Sequence, residues 1–368
     1  MNAPIRVLQV FTIMNRGGAE TMVMNYYRHI DRSKLQFDFL VHRQERGAYD
    51  DEIEAMGGRI FRIPPIFEFF SHKRAVRQFF KNHAEYKIIH GHLSELGYCI
   101  YKEAASQGIP CIIAHAHSAA RDYNWKWPIR TILKLLIRPC ISTPMTCGTE
   151  AARWLFGKKL AEKATMLNNA IDAQQYAYDE DIRQQVRDEM GWNNHFVIGD
   201  VARFSYPKNH IGLLSIFQAV LKKEPKALLV LVGEKTGLYE EVRQEAKALG
   251  ITHAVQFLGT RTDIPRLLQG MDVYCSPSLY EGLSVSMVEA QAAGLHVVTS
   301  DNVPQQVAII PELLSFIPLT AENNTWIEAL LSSYNRVNTF DKIVDAGFDI
   351  HANAAWLQDF YLSQHHSH

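Results

Sequence analysis

The sequence predicts an α/β protein built from two doubly wound parallel-sheet domains, and three observations carry that expectation. The chain opens on a β-branched apolar run, Ile5–Thr12, followed by the turn Asn15-Arg16-Gly17-Gly18 and a helical pattern over Ala19–Ile30. That is the strand, glycine turn and helix that begin a doubly wound unit. The same β/α alternation starts afresh near His195 and runs to Thr299. The length, 368 residues, suits two domains of about 100–200 residues each.

In the first half, strands are expected at Phe37–His42, Gly58–Ile63, Lys87–His90, Cys111–His115 and Pro144–Cys147. Helices are expected at Ser71–His83, Glu95–Gln107 and Thr149–Phe156. Around Met166–Asp172 (MLNNAID) the pattern changes, and two adjacent asparagines suit a turn. The domain junction is placed there, with residues 1–170 as the first domain and 171–347 as the second.

A charged helical stretch, Asp179–Met190, opens the second domain. Strands at His195–Val201, Ala227–Gly233, Val255–Leu258, Val273–Ser276 and His296–Thr299 then alternate with helices at Ile211–Lys222, Tyr239–Leu249, Ile264–Gln269 and Val285–Ala293. Residues 348–368 carry apolar side chains at helical spacing through Ile350, Ala354, Leu357 and Tyr361. Two readings stand for this last helix: it packs back across the junction, or it is a surface helix of the second domain. Two such sheets imply a cleft, since ligands of open α/β sheets lie outside the carboxyl ends of the strands.

Lys plus Arg number 38 against 39 Asp plus Glu, and this balance argues against nucleic acid as the main partner. The five cysteines are scattered and lack CxxC spacing, so reduced thiols in a cytoplasmic protein are expected, with neither a disulfide framework nor a zinc site. No signal peptide is read at the start, and no run reaches about 18 apolar residues. The tail His365-His366-Ser367-His368 is given no role.

Four constellations carry chemistry. In Ser278–Ala293 (SLYEGLSVSMVEAQAA), Glu281 and Glu289 are eight residues apart around an expected helix start near Ser284. A helix start favours anions such as a diphosphate. Gly282 lets backbone approach a ligand, and the two carboxylates suit sugar or ribose hydroxyls. In Val201–His210 (VARFSYPKNH), Arg203 and Lys208 follow a strand and can neutralise a diphosphate leaving group. No persuasive Asp-x-Asp pair lies near a strand end, so side-chain cations are expected in place of a metal, and no cofactor is expected. Gly17 and Gly18 precede a helix and can bring N–H groups to a phosphate or an acceptor group, without meeting a GxGxxG fingerprint. His90 and His92 follow one strand, and His115 and His117 the next. A metal reading finds no carboxylate or thiolate at matching spacing, so a polar rim is preferred, with His117 reaching furthest.

With these residues the chain resembles a retaining glycosyltransferase of family GT4 with the GT-B fold, over nearly its whole length. The likeness lies in Glu281–Glu289, in Arg203 with Lys208-Asn209-His210, in the loop Gly17-Gly18-Ala19-Glu20, in MLNNAID and in Val255–Ile264 (VQFLGTRTDI). GGAE, AHAHS and NNAID resemble bacterial capsular and exopolysaccharide transferases. Ala170 departs from the glycine common in the family's linker.

The resemblance implies two facing Rossmann-like domains with a central cleft and a final helix crossing back to the first. The first would be the acceptor side and the second the nucleotide-sugar side. Arg203 and Lys208 would hold the donor diphosphate, Glu281 the sugar hydroxyls beside Gly282, Leu283 and Ser284, and Glu289 the ribose. Gly259, Thr260 and Arg261 would border the base. His117 matches the family's cleft histidine, with His115 the alternative. The family expectation is a same-face reaction from a UDP-sugar, GDP being the other base, to a glycan or polyprenyl-linked acceptor.

Tyr123–Arg138 (YNWKWPIRTILKLLIR) mixes aromatic, basic and aliphatic residues. It fits either peripheral association with the inner face of a membrane or a buried helix with snorkelling cations. Two other functions share the architecture. A non-hydrolysing nucleotide-sugar epimerase needs acidic residues at the sugar's C2, and none is located. A non-catalytic nucleotide-sugar binding subunit would lack Arg203, Lys208 or the glutamates, and all four are present.

Overall fold

The computed structural model describes residues 3–117, 127–332 and 334–366. The chain divides into two compact units. One runs to Ala170 and takes in the segment from Ile350 onward; the other is Ile171–Asp349.

In the first unit seven strands form one sheet: β1 (Ile5–Phe11), β2 (Leu35–Val41), β3 (Ile60–Arg62), β4 (Ile88–Gly91), β5 (Cys111–Ala116), β6 (Thr143–Thr146) and β7 (Thr165–Met166). Their order is β3-β2-β1-β4-β5-β6-β7, and every pairing is parallel. Every residue of β2 is buried, as a strand covered by helices on both faces requires. The winding reverses between β1 and β4. Open α/β sheets bind ligands at that switch point, outside the carboxyl ends of the strands. Gly17 and Gly18 follow β1, and His90 and His92 lie at the end of β4.

The final helix, Ile350–His366, belongs to this unit. Ile350, Ala354, Leu357 and Tyr361 share one face and are buried in a core with Val7, Met22, Tyr26 and Phe37. The helix lies against the helix Gly18–His29 and against β1 and β4.

In the second unit six parallel strands follow: β8 (Phe196–Val201), β9 (Ala227–Val232), β10 (Val255–Gly259), β11 (Val273–Ser276), β12 (His296–Ser300) and β13 (Leu314–Ile317). Their order is β10-β9-β8-β11-β12-β13, so the winding reverses between β8 and β11. Ile171 pairs with Asp349 as the chain enters and leaves this unit.

Local chemistry moved several expected boundaries. The expected helix Glu95–Gln107 is a 3-10 turn, Ser94–Gly97, leading into the helix Tyr98–Ser106. The helix from Thr149 continues to Ala161, and Gly157 bends it with φ +71°, a conformation open chiefly to glycine. β7 and β13 were not expected. β7 has only two residues, too few for any periodicity, and the partly buried run Leu314–Ile317 reads as a strand only beside β12.

Candidate active site

In the second unit the residues singled out from the sequence lie on loops at the carboxyl ends of neighbouring strands. Gly259, Thr260 and Arg261 end β10, Arg203 and Lys208 follow β8, and Glu281–Ser284 follow β11. The ends of β8 and β9 approach tightly: a Cβ on Gly233 would lie 1.9 Å from the Ala202 carbonyl oxygen.

The β8 and β11 loops are fastened to each other. After the 3-10 turn Tyr206–Lys208, Asn209 adopts a left-handed conformation, φ +53°. Its Oδ1 accepts from Gly212 N at 3.3 Å and caps the helix His210–Leu221. Its Nδ2 donates to the Pro277 carbonyl at 2.9 Å, and Leu279 N donates to the Pro207 carbonyl at 2.8 Å. Asn tolerates the left-handed region and caps helices well, so one residue meets both demands. Lys208 and Glu281 form an ion pair across the same junction, and Ser278 Oγ donates to Glu281 at 3.0 Å. Arg203 is exposed and makes no ion pair among the described residues. His210 turns inward, stacks on Phe204 at 4.5 Å and pairs with buried Asp200 at 3.3 Å.

The helix Val285–Ala292 begins at Ser284, as expected. Glu289, in its second turn, accepts a hydrogen bond from Tyr176 OH at 2.8 Å. Burial raises its pKa to about 7 against the pull of that bond. Neither glutamate is free: Glu281 is ion-paired with Lys208 and Glu289 is held by Tyr176. Arg261 is engaged by Asp263 through two bonds, at 2.8 and 2.6 Å. A Cβ on Gly18 would meet nothing within 4 Å, so the start of the helix Gly18–His29 leaves room for a group to approach.

Four histidines of the first unit, His90, His92, His115 and His117, form a stacked box. His90 lies over His92 at 4.4 Å and His115 over His117 at 4.1 Å. His90 Nε2 meets His115 Nδ1 at 3.1 Å, and His92 Nδ1 meets His117 Nε2 at 2.8 Å. Burial lowers the pKa of all four, to about 3 for His90 and about 4 for His117. His90, His92 and His115 bring nitrogens within 4.8 Å of one another, a spacing open to a metal ion. Both ring nitrogens of His90 and of His92, and Nδ1 of His115, are instead engaged with one another, with His117, with Gln9 or with Tyr361.

The structure departs from the buried-helix reading of Tyr123–Arg138. Residues 123–126 lie outside the described residues. In the helix Trp127–Ile137 the cations face inward: Arg130 donates to buried Glu95 at 2.5 Å, and Lys134 sits 4.4 Å from the Trp154 ring centroid. Four apolar side chains face out, Ile129 and Ile132 56% exposed, Leu135 54% and Leu136 41%, while Ile137 is buried.

Sequence reasoning missed Gln9, Tyr361, Tyr176, Ser278 and the two-way role of Asn209. Tyr176 and Glu289 are 113 residues apart and His90 and Tyr361 are 271 apart, so no local pattern links them.

Residues 16–175 match Glycosyltransferase Family 4, and residues 182–314 match Glycosyl transferases group 1. A Bacillus subtilis (strain 168) protein named as the glycosyltransferase EpsF is 34% identical, with 97% of this chain and 96% of that protein covered. The chain belongs to glycosyltransferase family 4. Among family members it is similar to the capsular polysaccharide biosynthesis glycosyltransferase CapH of Staphylococcus aureus, 25% identical over 98% of this chain and 99% of CapH. The GT-B fold of this glycosyltransferase is shared with Anabaena HepE, whose structure in complex with UDP and glucose aligns with TM-score 0.79 at 19% identity, covering 98% and 100% of the two chains.

Two outcomes follow for this polysaccharide glycosyltransferase. Asn209→Ala is expected to cost roughly 1–2 kcal/mol in chemical denaturation, and Asn209→Gly less, because glycine keeps the left-handed backbone. For Glu289, the raised pKa means that the folded chain keeps the proton to higher pH than the unfolded chain. The stabilisation is full below the ordinary carboxylate pKa and is lost as pH rises through about 7. Glu289→Gln should therefore gain stability relative to the parent between about pH 5 and about pH 8, by at most on the order of 3 kcal/mol. An equal melting difference at both pH values would contradict the assignment.

Proposed function

We propose that this glycosyltransferase uses a UDP-sugar and transfers the sugar, with retention of anomeric configuration and without a metal ion, to a lipid-linked glycan acceptor. The observation that carries this reading is the junction of the β8 and β11 loops at the switch point of the second sheet. There Arg203, Lys208, Glu281 and the helix start at Ser284 share one strand edge. The second unit is the donor side and the first the acceptor side.

In this reading Arg203 and Lys208 hold the diphosphate. An ammonium has three protons, so Lys208 can keep Glu281 and still donate to phosphate oxygen. Glu281, positioned by Lys208 and Ser278, accepts from the sugar hydroxyls. Glu289 takes the ribose, and Gly259, Thr260 and Arg261 border the base. As the bond from sugar C1 to phosphate oxygen breaks, the charge left on the diphosphate is met by the two cations and the helix-start amides. The acceptor hydroxyl attacks C1 from the same face, and its proton passes to the departing phosphate oxygen. His117, kept neutral by its burial, accepts a hydrogen bond from a sugar hydroxyl.

UDP is favoured over GDP because the HepE structure holds UDP. The lipid-linked acceptor follows from an Escherichia coli relative, 22% identical over 89% of each chain, named as a UDP-Gal:α-D-GlcNAc-diphosphoundecaprenol galactosyltransferase. Such an acceptor lies in a membrane. The outward face of Ile129, Ile132, Leu135 and Leu136 suits the cytoplasmic leaflet, with the apolar side chains rather than Arg130 and Lys134 making contact.

A melt screen of UDP-, GDP- and ADP-sugars should single out UDP-sugars, since a ligand at 100 times its Kd adds about 2.7 kcal/mol. Lys208→Ala should cut turnover about 100-fold or more, and UDP release should persist in EDTA. Unchanged turnover in that variant, or loss of release on chelation, would overturn the corresponding assignment. Replacing Ile129, Ile132 and Leu136 by Ser should abolish pelleting with anionic liposomes; undiminished pelleting would remove the membrane role.

A further inference from the structure

We infer that the amide of Gln9 sets the tautomers of all four box histidines, leaving His115 with an N–H donor and His117 with a bare nitrogen acceptor that together take one hydroxyl group. Gln9 lies on β1 and is 1% exposed. Its Oε1 meets His92 Nε2 at 3.0 Å, and its Nε2 donates to Tyr361 OH at 3.4 Å. Tyr361 OH in turn meets His90 Nδ1 at 2.5 Å.

The polarity then follows by elimination. An amide oxygen only accepts, so His92 carries its proton on Nε2. A neutral imidazole has one proton, so His92 Nδ1 accepts and His117 Nε2 donates to it. His117 Nδ1 is left as a bare lone pair.

On the other branch an amide nitrogen only donates. Tyr361 oxygen accepts from it and gives its own proton to His90 Nδ1. His90 Nε2 then donates to His115 Nδ1, and His115 keeps its proton on Nε2. The two chains run in opposite senses because one amide has one oxygen and one NH2.

Both end atoms, His115 Nε2 and His117 Nδ1, are buried without a hydrogen-bond partner among the described residues. Leaving such atoms unpaired costs free energy comparable to a lost hydrogen bond. The rings of His115 and His117 stack at 4.1 Å, and each end atom is the ring nitrogen other than the one bonded to His90 or His92. A donor beside an acceptor matches a hydroxyl, which accepts through its oxygen and donates its proton. Gln9 and Tyr361 are positioning residues in this arrangement, acting through the histidines. The inference rests on the glycosyltransfer reading only for the identity of the hydroxyl as a sugar's.

The test is ¹⁵N NMR of histidine-labelled protein near pH 7, which reads each tautomer without reference to turnover. In the parent chain all four histidines are expected as Nε2–H. A carboxylate offers acceptors only, so in Gln9→Glu the Tyr361 branch must invert. His90 and His115 should become Nδ1–H, while His92 and His117 stay Nε2–H.

If Gln9→Glu fails to fold, Tyr361→Phe serves. His90 and His115 should then show mixed tautomers, with His92 and His117 unchanged. Four Nδ1–H histidines in the parent, or no selective change in either variant, would overturn the assignment. Glucose titrated to high millimolar should move the His115 Nε2 and His117 Nδ1 resonances. If neither moves, the hydroxyl site falls even where UDP-sugar turnover persists.

Discussion

The loop after β8 and the loop after β11 come from segments about 70 residues apart, and the proposed donor chemistry requires them to act as one surface. Asn209 achieves this with few atoms. Its left-handed backbone turns the chain from the 3-10 turn into the helix His210–Leu221, and its side chain caps that helix while holding the Pro277 carbonyl. The Lys208–Glu281 ion pair and the Leu279–Pro207 backbone bond then follow from that registration. Charge on a departing phosphate is stabilised best by groups already in place, because their reorganisation would otherwise add to the barrier.

Burial does the second part of the work. The same desolvation that raises Glu289 to about 7 lowers the four histidines, and both effects favour neutral forms. Neutral imidazoles can stack and hydrogen-bond in chains, whereas adjacent imidazolium ions would repel. The box is thus a consequence of its place at the ends of β4 and β5, closed on one side by Phe11 stacked on His92 at 4.3 Å and by Tyr361 from the final helix.

The helix Trp127–Ile137 shows a different balance. Glu95 is buried, and an unpaired buried carboxylate is costly, so Arg130 is drawn inward to it. Arg130 and Lys134 also lie over the Trp154 ring, at 5.2 and 4.4 Å. With its cations so committed, the helix turns Ile129, Ile132, Leu135 and Leu136 outward.

The sequence alone settled the two doubly wound sheets, because strand and helix periods alternate locally, and it settled the family, because Glu281–Glu289 and Arg203–Lys208 are short motifs. It located the helix start at Ser284 and the buried face through Ile350, Ala354, Leu357 and Tyr361. It left open where the final helix packs, which way Arg130 and Lys134 face and how the four histidines are used. Those matters depend on residues far apart in the chain. Tyr361 reaches His90 across 271 positions and Gln9 reaches His92 across 83. A hydrogen bond or a desolvation energy depends on separation in space, and only the packed sheets fix that.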